Sequence, residues 1–423
     1  MLTVAEASAS ILADIARLSI ERVPLLDAPG RVLARDAVAP LAMPPWRNSA
    51  MDGYALLASD IAGATTASPV RLGVLETVAA GGFPSQPVRR GFATRIMTGA
   101  PLPDAADTVV RVEDTDGGTD SVEIRNDRDA GKNIRARGED YNTGDRVLLA
   151  GDALGAAQVG VLASMGLAEV EVYRRPRVAI IGSGDELVDI DRFDEVLAGK
   201  KIVTSNSYTL NALVRGAGGD VLSVSVAADD PGDVAAHVER ALVSGADLIV
   251  TSAGASVGEY DYVRQVLVSL GAQLKFWRVR MRPGAPLGFG LVRGVPWIGL
   301  PGNPVSAMVT FELFVRPAIR KMLGFTRLFR RPVAAMLEEP VSIGARLTHF
   351  LRAVARVRGD GQLMVRLTGP QGSAILTSMA RANALLVVPE DRQESATGEI
   401  LTILPLGDEA QQADDFSLHA QAL

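Results

Sequence analysis

The 423-residue chain contains no cysteine. That excludes disulfides, zinc–thiolate centres, iron–sulfur clusters and a cysteine nucleophile. Imidazole is almost as scarce. His237, His349 and His419 are far apart in sequence, so a histidine-based metal site is not expected. No apolar run reaches the roughly 18 residues of a membrane span. The opening "MLTVAEASASILADIARL" has no basic start and carries Glu6 and Asp14 among its apolar residues, unlike a secretory signal. An excess of basic charge is also missing, with 43 Lys and Arg against 49 Asp and Glu and a net charge of −6. This argues against a general nucleic-acid-binding surface, though not against a local cationic pocket for a small anion. A cytoplasmic protein that binds neither membrane nor nucleic acid is expected. Its chemistry must rest on carboxylates, hydroxyls, backbone groups and cations.

Length suggests roughly two to four domains. Thr3 and Glu6 fit a capping box, and Val4, Ile11, Ile15 and Leu18 share a helical face. Residues 25–150 are rich in Gly, Pro and Asp, with short strands expected in "VRLGVLETVAAGG", "TVVRVED" and "SVEIRN". "GDALGAAQVGVLASMG" is expected to be a helix. From 176 to 324 strands alternate with helices, which predicts a parallel three-layer α/β domain. "LGFGLVRGVPWIGL" fits a hairpin and "NPVSAMVTFELFVRPAIRKML" a long final helix. Beyond about residue 330, period-two patterning in "GQLMVRLTG", "NALLVVP" and "EILTILPL" predicts a small β domain, followed by a polar tail. No internal repeat or low-complexity tract is evident.

In a doubly wound sheet, ligands bind beyond the carboxyl ends of the strands. Three loops are expected there: "GSGDEL" with Ser183, Asp185 and Glu186; "AADDP" with Asp229 and Asp230; and "TSAGASVGEYDY" with Ser252, Gly254, Ser256, Glu259 and Asp261. Carboxylates gathered at one edge repel unless a cation or proton joins them, and oxygen-only ligands favour magnesium over zinc. Asp230 and Glu259 are equally explained as acids at helix starts. "GSGDEL" lacks the spacing of a dinucleotide fingerprint. In "FWRVRMRPGAP", Arg278, Arg280 and Arg282 alternate, so all three face one side of a strand. They suit an oxyanion, or else a solvated edge whose charges block aggregation. "LPGNPVSA" places Asn303 as cap and Pro304 in the first turn, with Ser306 turned outward. That start is either an oxyanion site or simply structural. "NSAMDGYA" offers Asp52, "MTGAPLP" Thr98, and "RARGEDYNTGD" Arg137, Glu139 and Asp140. Each alone is a turn.

Taken in order, "NSAMDGYA", "MTGAPLP", "RGED", "SGDEL", "DDP", "SVGEYDY", "RPGAP" and "LPGNPVSA" resemble the molybdopterin molybdenumtransferases, including the E domain of gephyrin, over nearly the whole chain. The resemblance implies an elongated four-domain protomer and a head-to-tail homodimer. Its active cleft would lie between the α/β domain of one subunit and the β-rich domain of the other. It also implies adenylylated molybdopterin and molybdate as substrates, hydrolysis of the adenylate with a divalent cation such as Mg2+, and insertion of molybdenum. A molybdopterin adenylyltransferase and molybdoenzyme apoproteins or their chaperones are the partners implied.

Domains expected on this basis are a helical linker and dimerisation domain (1–40 with 143–174), a β-rich domain (41–142), the α/β domain (175–326) and a C-terminal β-barrel domain with a polar tail (327–423). The catalytic positions implied are Asp52, Thr98, Asp140, Glu186, Asp229 and Asp261, with Glu186 and Asp261 on the cation. Pro301 and Pro304 match the helix start and Ser306 its hydroxyl. Arg278 and Arg282 stand where the family often has lysine. Arg352 in "HFLRA" and Ser373 in "PQGSAI" match residues facing molybdate. Three positions depart from the pattern: Ala285 replaces a lysine, Ala253 a glycine and His349 an aspartate. On these departures Arg280 is expected to offset the lysine missing at 285. An alternative function is that of a pterin carrier or scaffold, or of an enzyme using another oxyanion.

Overall fold

The computed structural model describes residues 1–252 and 259–407, with side chains in the second stretch from residue 263 onward. Gly254 and Ser256 lie outside the described residues, as does the side chain of Asp261. The chain forms two compact units: residues 23–29 with 35–170, and residues 1–22, 30–34 and 171 onward.

The first unit is β-rich. Its main sheet has five strands, in the order Thr108–Arg111, Gly53–Leu56, Phe92–Ile96, Val70–Val78, Ser121–Ile124. Strand alternation sends Tyr54 and Leu56 into one apolar cluster and Ala55 into another. Gly53 is required where two strands meet. A Cβ there would sit 1.9 Å from the Val110 carbonyl oxygen. The helix foreseen after Gly151 spans Ala156–Ser164.

In the second unit a six-stranded sheet runs in the order Asp220–Ala227, Arg177–Ser183, Leu248–Ser252, Val295–Leu300, Pro286–Val292, Ala272–Arg278. The first four strands are parallel and the last two antiparallel. Val178 and Ile180 enter one apolar cluster with Leu210 and Val214 of the helix Ser205–Gly216. Ala179 and Ile181 enter another with Val234 and Val238 of the helix Pro231–Val243. Helices therefore cover both faces, as the alternating pattern requires. The hairpin turns at Arg293 and Gly294, both with positive φ (49° and 83°).

The N-terminal helix Val4–Ala13 belongs to this second unit and carries the capping box. The Glu6 N–H donates to Thr3 Oγ1 (3.2 Å), and the Thr3 N–H donates to Glu6 Oε2 (2.8 Å). It ends before Ile15 and Leu18. Both still pack inward, and the Leu18 N–H donates to the Met322 carbonyl.

The long final helix is not uniform. Pro304–Thr310 and Arg316–Met322 are α-helical, and Phe311–Val315 between them is a π turn. Pro317 has no N–H to donate one turn back, so the ladder is interrupted where the helix widens.

The C-terminal strands close into a five-stranded barrel: Thr348–Val357, Leu363–Leu367, Val333–Leu337, Ile400–Pro405 and Ala384–Val388, which pairs back to the first. Met281–Arg282 joins its edge, with Arg282 opposite His349. Among the described residues no helix is long and apolar enough to cross a membrane.

Candidate functional site

In the β-rich unit, Asp52 and Thr98 come together from positions 46 apart in sequence. Asp52 Oδ1 accepts from the Thr98 hydroxyl (2.6 Å) and the Thr98 N–H (2.7 Å). These two bonds hold the exposed carboxyl below its ordinary range. Gly99 follows with φ 82°, which turns the Thr98 loop back. Asp140 is exposed on a separate turn, whose N–H donates to the Met43 carbonyl.

In the second unit the strand ends converge. Ser183 and Ser252 are buried at the carboxyl ends of neighbouring parallel strands. The loop after Ser183 and the loop after the strand Asp220–Ala227 are stapled reciprocally. The Asp185 N–H donates to Asp229 Oδ2 (3.2 Å) and the Asp229 N–H to Asp185 Oδ1 (3.1 Å). Asp230 caps its helix, accepting from the Asp233 N–H (2.9 Å), so its explanation is structural. Gly184 has φ 149°, and a Cβ there would lie 2.6 Å from Glu186 Oε2. The exposed Glu186 carboxylate thus folds back over the glycine.

Clefts lie on both sides of this loop. One, about 270 Å³, is lined by Ser183, Glu186, Asn206, Ser252, Asn303 and Pro304. The other, about 610 Å³, is lined by Asp185, Asp189, Lys201 and Tyr208 among others. Tyr208 donates to Asp189, which holds that carboxyl below its ordinary range. In the smaller cleft Asn206 Nδ2 donates to Ser252 Oγ and to the Gly302 carbonyl (both 2.7 Å). Its Oδ1 is buried with no partner among the described residues. Asn206 was not among the site residues expected from the sequence. The run of small polar residues on the turn nearest the strand ends was the available signal.

The helix start at 303 differs from expectation. Asn303 occupies the cap position, but its side chain makes no capping bond. Ser306 is buried rather than turned outward, and the Val305 N–H is taken by the Ser373 carbonyl (3.1 Å). Pro301 is buried, and its carbonyl accepts from Ser252 Oγ at 3.4 Å. The Ser373 bond ties the α/β layer to the barrel.

A third cavity of about 500 Å³ lies beside that tie, lined by Arg282, His349, Arg352, Gln371 and Ser373 among others, with no carboxylate in its wall. Arg352 is 0% exposed. Its Nε donates to Ser378 Oγ (3.0 Å) and its Nη2 to the Gly372 carbonyl (2.9 Å), while Nη1 has no partner among the described residues. Burial pushes its pKa down. A buried guanidinium without a counter-charge is costly, and an anion in the cavity supplies one.

Of the three alternating arginines, only Arg282 lines this cavity. Burial alternates as expected, with Val279 and Met281 inside. Arg280, however, donates through Nε to Glu390 Oε2 (3.2 Å) and through Nη2 to Glu390 Oε1. It is engaged in that ion pair and is not among the residues that line this cavity. Arg278 is exposed at the end of its strand. Among the described residues no three carboxylate or imidazole side chains converge on a metal position. Glu186 is the described half of the expected cation pair.

Fold and clefts define a multidomain α/β protein with clefts at its strand ends and an arginine-lined cavity against a barrel. Residues 2–166 match the MoeA N-terminal region (domain I and II), 179–321 a probable molybdopterin binding domain, and 334–406 the MoeA C-terminal region (domain IV). The chain is 42% identical over 390 residues to molybdopterin molybdenumtransferase 2 of Mycobacterium tuberculosis, covering 91% of this chain and 94% of that protein. It is 33% identical over 417 residues to the molybdopterin molybdenumtransferase of Haemophilus influenzae, covering 96% and 98%. The crystal structure of the molybdopterin biosynthesis moeA protein from Pyrococcus horikoshii OT3 aligns with a TM-score of 0.82 at 30% identity, over 96% of this chain and all of that one. The chain belongs to the molybdopterin molybdenumtransferase family.

Proposed function

We infer that this chain inserts molybdenum into molybdopterin, taking molybdopterin and molybdate as substrates. Relatives at 33–42% identity over most of the chain carry the name of that activity, and the carrier alternative is not favoured. Adenylylated molybdopterin is the form proposed, with AMP released. Two clefts flanking one loop suit a substrate with two heterocycles joined through phosphates.

The observation that carries the oxyanion half is Arg352, wholly buried, without a carboxylate, and with one nitrogen unpartnered beside a cavity. Arg352, Arg282 and Ser373 are proposed to hold molybdate there. Ser183, Ser252, Asn303 and Pro304, together with Gly254 and Ser256, are proposed to bind the pterin. Glu186 and Asp261 are proposed to hold Mg2+, which supplies positive charge to the phosphate being cleaved. Asp229 keeps the Glu186 loop in place through the staple to Asp185. Asp52, Thr98 and Asp140 are proposed to serve the same reaction in a homodimer.

The direct test is incubation with adenylylated molybdopterin, magnesium and molybdate, following AMP and finished cofactor. Chelator-treated protein is expected to lose AMP release, and full-rate release would refute the cation assignment. Arg352→Ala is expected to weaken molybdate use about 10- to 150-fold, the loss of one charge-assisted hydrogen bond of roughly 1.5–3 kcal/mol. Pterin binding by that variant should remain.

A further inference from the structure

His349 lines the cavity that Arg282 and Arg352 also line. It is 4% exposed, and its Nε2 lies 3.1 Å from the Ala345 carbonyl oxygen. A carbonyl only accepts, so Nε2 carries the ring proton and Nδ1 holds the lone pair. The charged groups in the cavity wall are Arg282, opposite His349 on the neighbouring strand, and Arg352, three positions along its own. The remaining wall offers Ser342, Gln371 and Ser373, none of which titrates near neutrality. The residue paired with His349 on the adjoining barrel strand, Val388, is apolar.

We propose that His349 is the proton-linked member of this cavity: a tetrahedral dianion enters together with a proton, which His349 takes up on Nδ1. The proposal rests on reading the cavity as the molybdate site. With the cavity empty, burial and then the nearby Arg282 guanidinium hold the ring below its ordinary value, so it is neutral at neutral pH. A dianion reverses the balance. Arg282 is exposed and screened by solvent, so only Arg352 faces the anion as a fully desolvated cation. An imidazolium makes up the difference. The proton comes from solvent, and no covalent bond is made or broken.

The test is calorimetric titration of the whole protein with sodium molybdate, between about pH 6.5 and about pH 8.5, in two non-phosphate buffers of different ionisation enthalpy. Uptake of up to about one proton per molybdate is expected, with affinity falling by up to about tenfold per pH unit on the alkaline side. His349→Asn should still bind, but with little proton uptake and a flat pH profile. Perrhenate, a tetrahedral monoanion, should draw less proton uptake in the wild type. If His349→Asn does not fold, the nitrogen chemical shifts of His349 in the wild type give the same reading, moving toward imidazolium on molybdate addition. Arg352-dependent binding with equal proton uptake in wild type and His349→Asn, or unmoved shifts, would overturn this inference alone. Absence of any Arg352-dependent molybdate binding would overturn the cavity assignment and this inference with it.

Discussion

Arg352, whose guanidinium has no counter-charge among the described residues, marks the cavity against the barrel, while Arg280, paired with Glu390, does not line it. Arg280 is half-buried against Glu390, and the pair holds the Glu390 carboxyl below its ordinary range. Arg280→Ala is therefore expected to leave the molybdate dependence of cofactor formation unchanged, whereas Arg282→Ala should weaken it. Concentration series on both variants check this. Sequence periodicity placed all three arginines on one face but could not show which had a partner 110 residues away. Asp52 and Thr98 were each visible as turn residues, and their mutual hydrogen bonds were not. Arg352 was recognisable only through resemblance, since "HFLRA" is otherwise an ordinary strand. His237 and His349 both lie below the ordinary histidine value, burial being the first cause for each. The fold holds them neutral, so their contribution to stability is fully present above the unfolded value of about 6.5. It is lost as pH falls through that value toward the folded one, because the unfolded chain then binds more protons. A melting temperature that declines from about pH 7 to about pH 5 is expected.

The strands and helices of the α/β layer were legible because each has a single period and a clear stop. Asp230 with Pro231 starts one helix, and glycines close others. The π turn at Phe311–Val315 was not read from "FELFVRP", although Pro317 was the warning. Thr310 adds to the distortion by donating its hydroxyl back to the Ser306 and Ala307 carbonyls. The strand-to-loop junction at Gly184 carries its own prediction. Alanine there is strained at φ 149° and pushes on the Glu186 carboxylate. Gly184→Ala should slow AMP release by about tenfold to about a hundredfold, the scale of a catalytic group misplaced by an ångström. Molybdate binding at the barrel should be unaffected. Equal rates for variant and wild type would remove Glu186 from the reaction.

At the scale of the molecule, the candidate residues divide between the two compact units: Asp52, Thr98 and Asp140 in one, Glu186, Asp229 and Arg352 in the other. A homodimer is expected by mass measurement in solution. If subunits share active sites, mixing Asp52→Ala and Glu186→Ala chains should restore activity in part of the heterodimers. No gain over either parent would assign each site to one subunit.

The N-terminal helix has a consequence for how the chain is made. Lys321 Nζ donates to the Leu12 carbonyl across 309 positions of sequence. The buried face of that helix, Ala7 and Ile11, shares a cluster with Ile319 and Met322. At a synthesis rate of about 5–20 residues per second, the first helix leaves the ribosome roughly 15–60 seconds before its seat exists. During that interval the β-rich unit between them can complete its own sheet. The residues of this helix, translated well before their seat, are then among the last to dock, their apolar side exposed to chaperones while they wait.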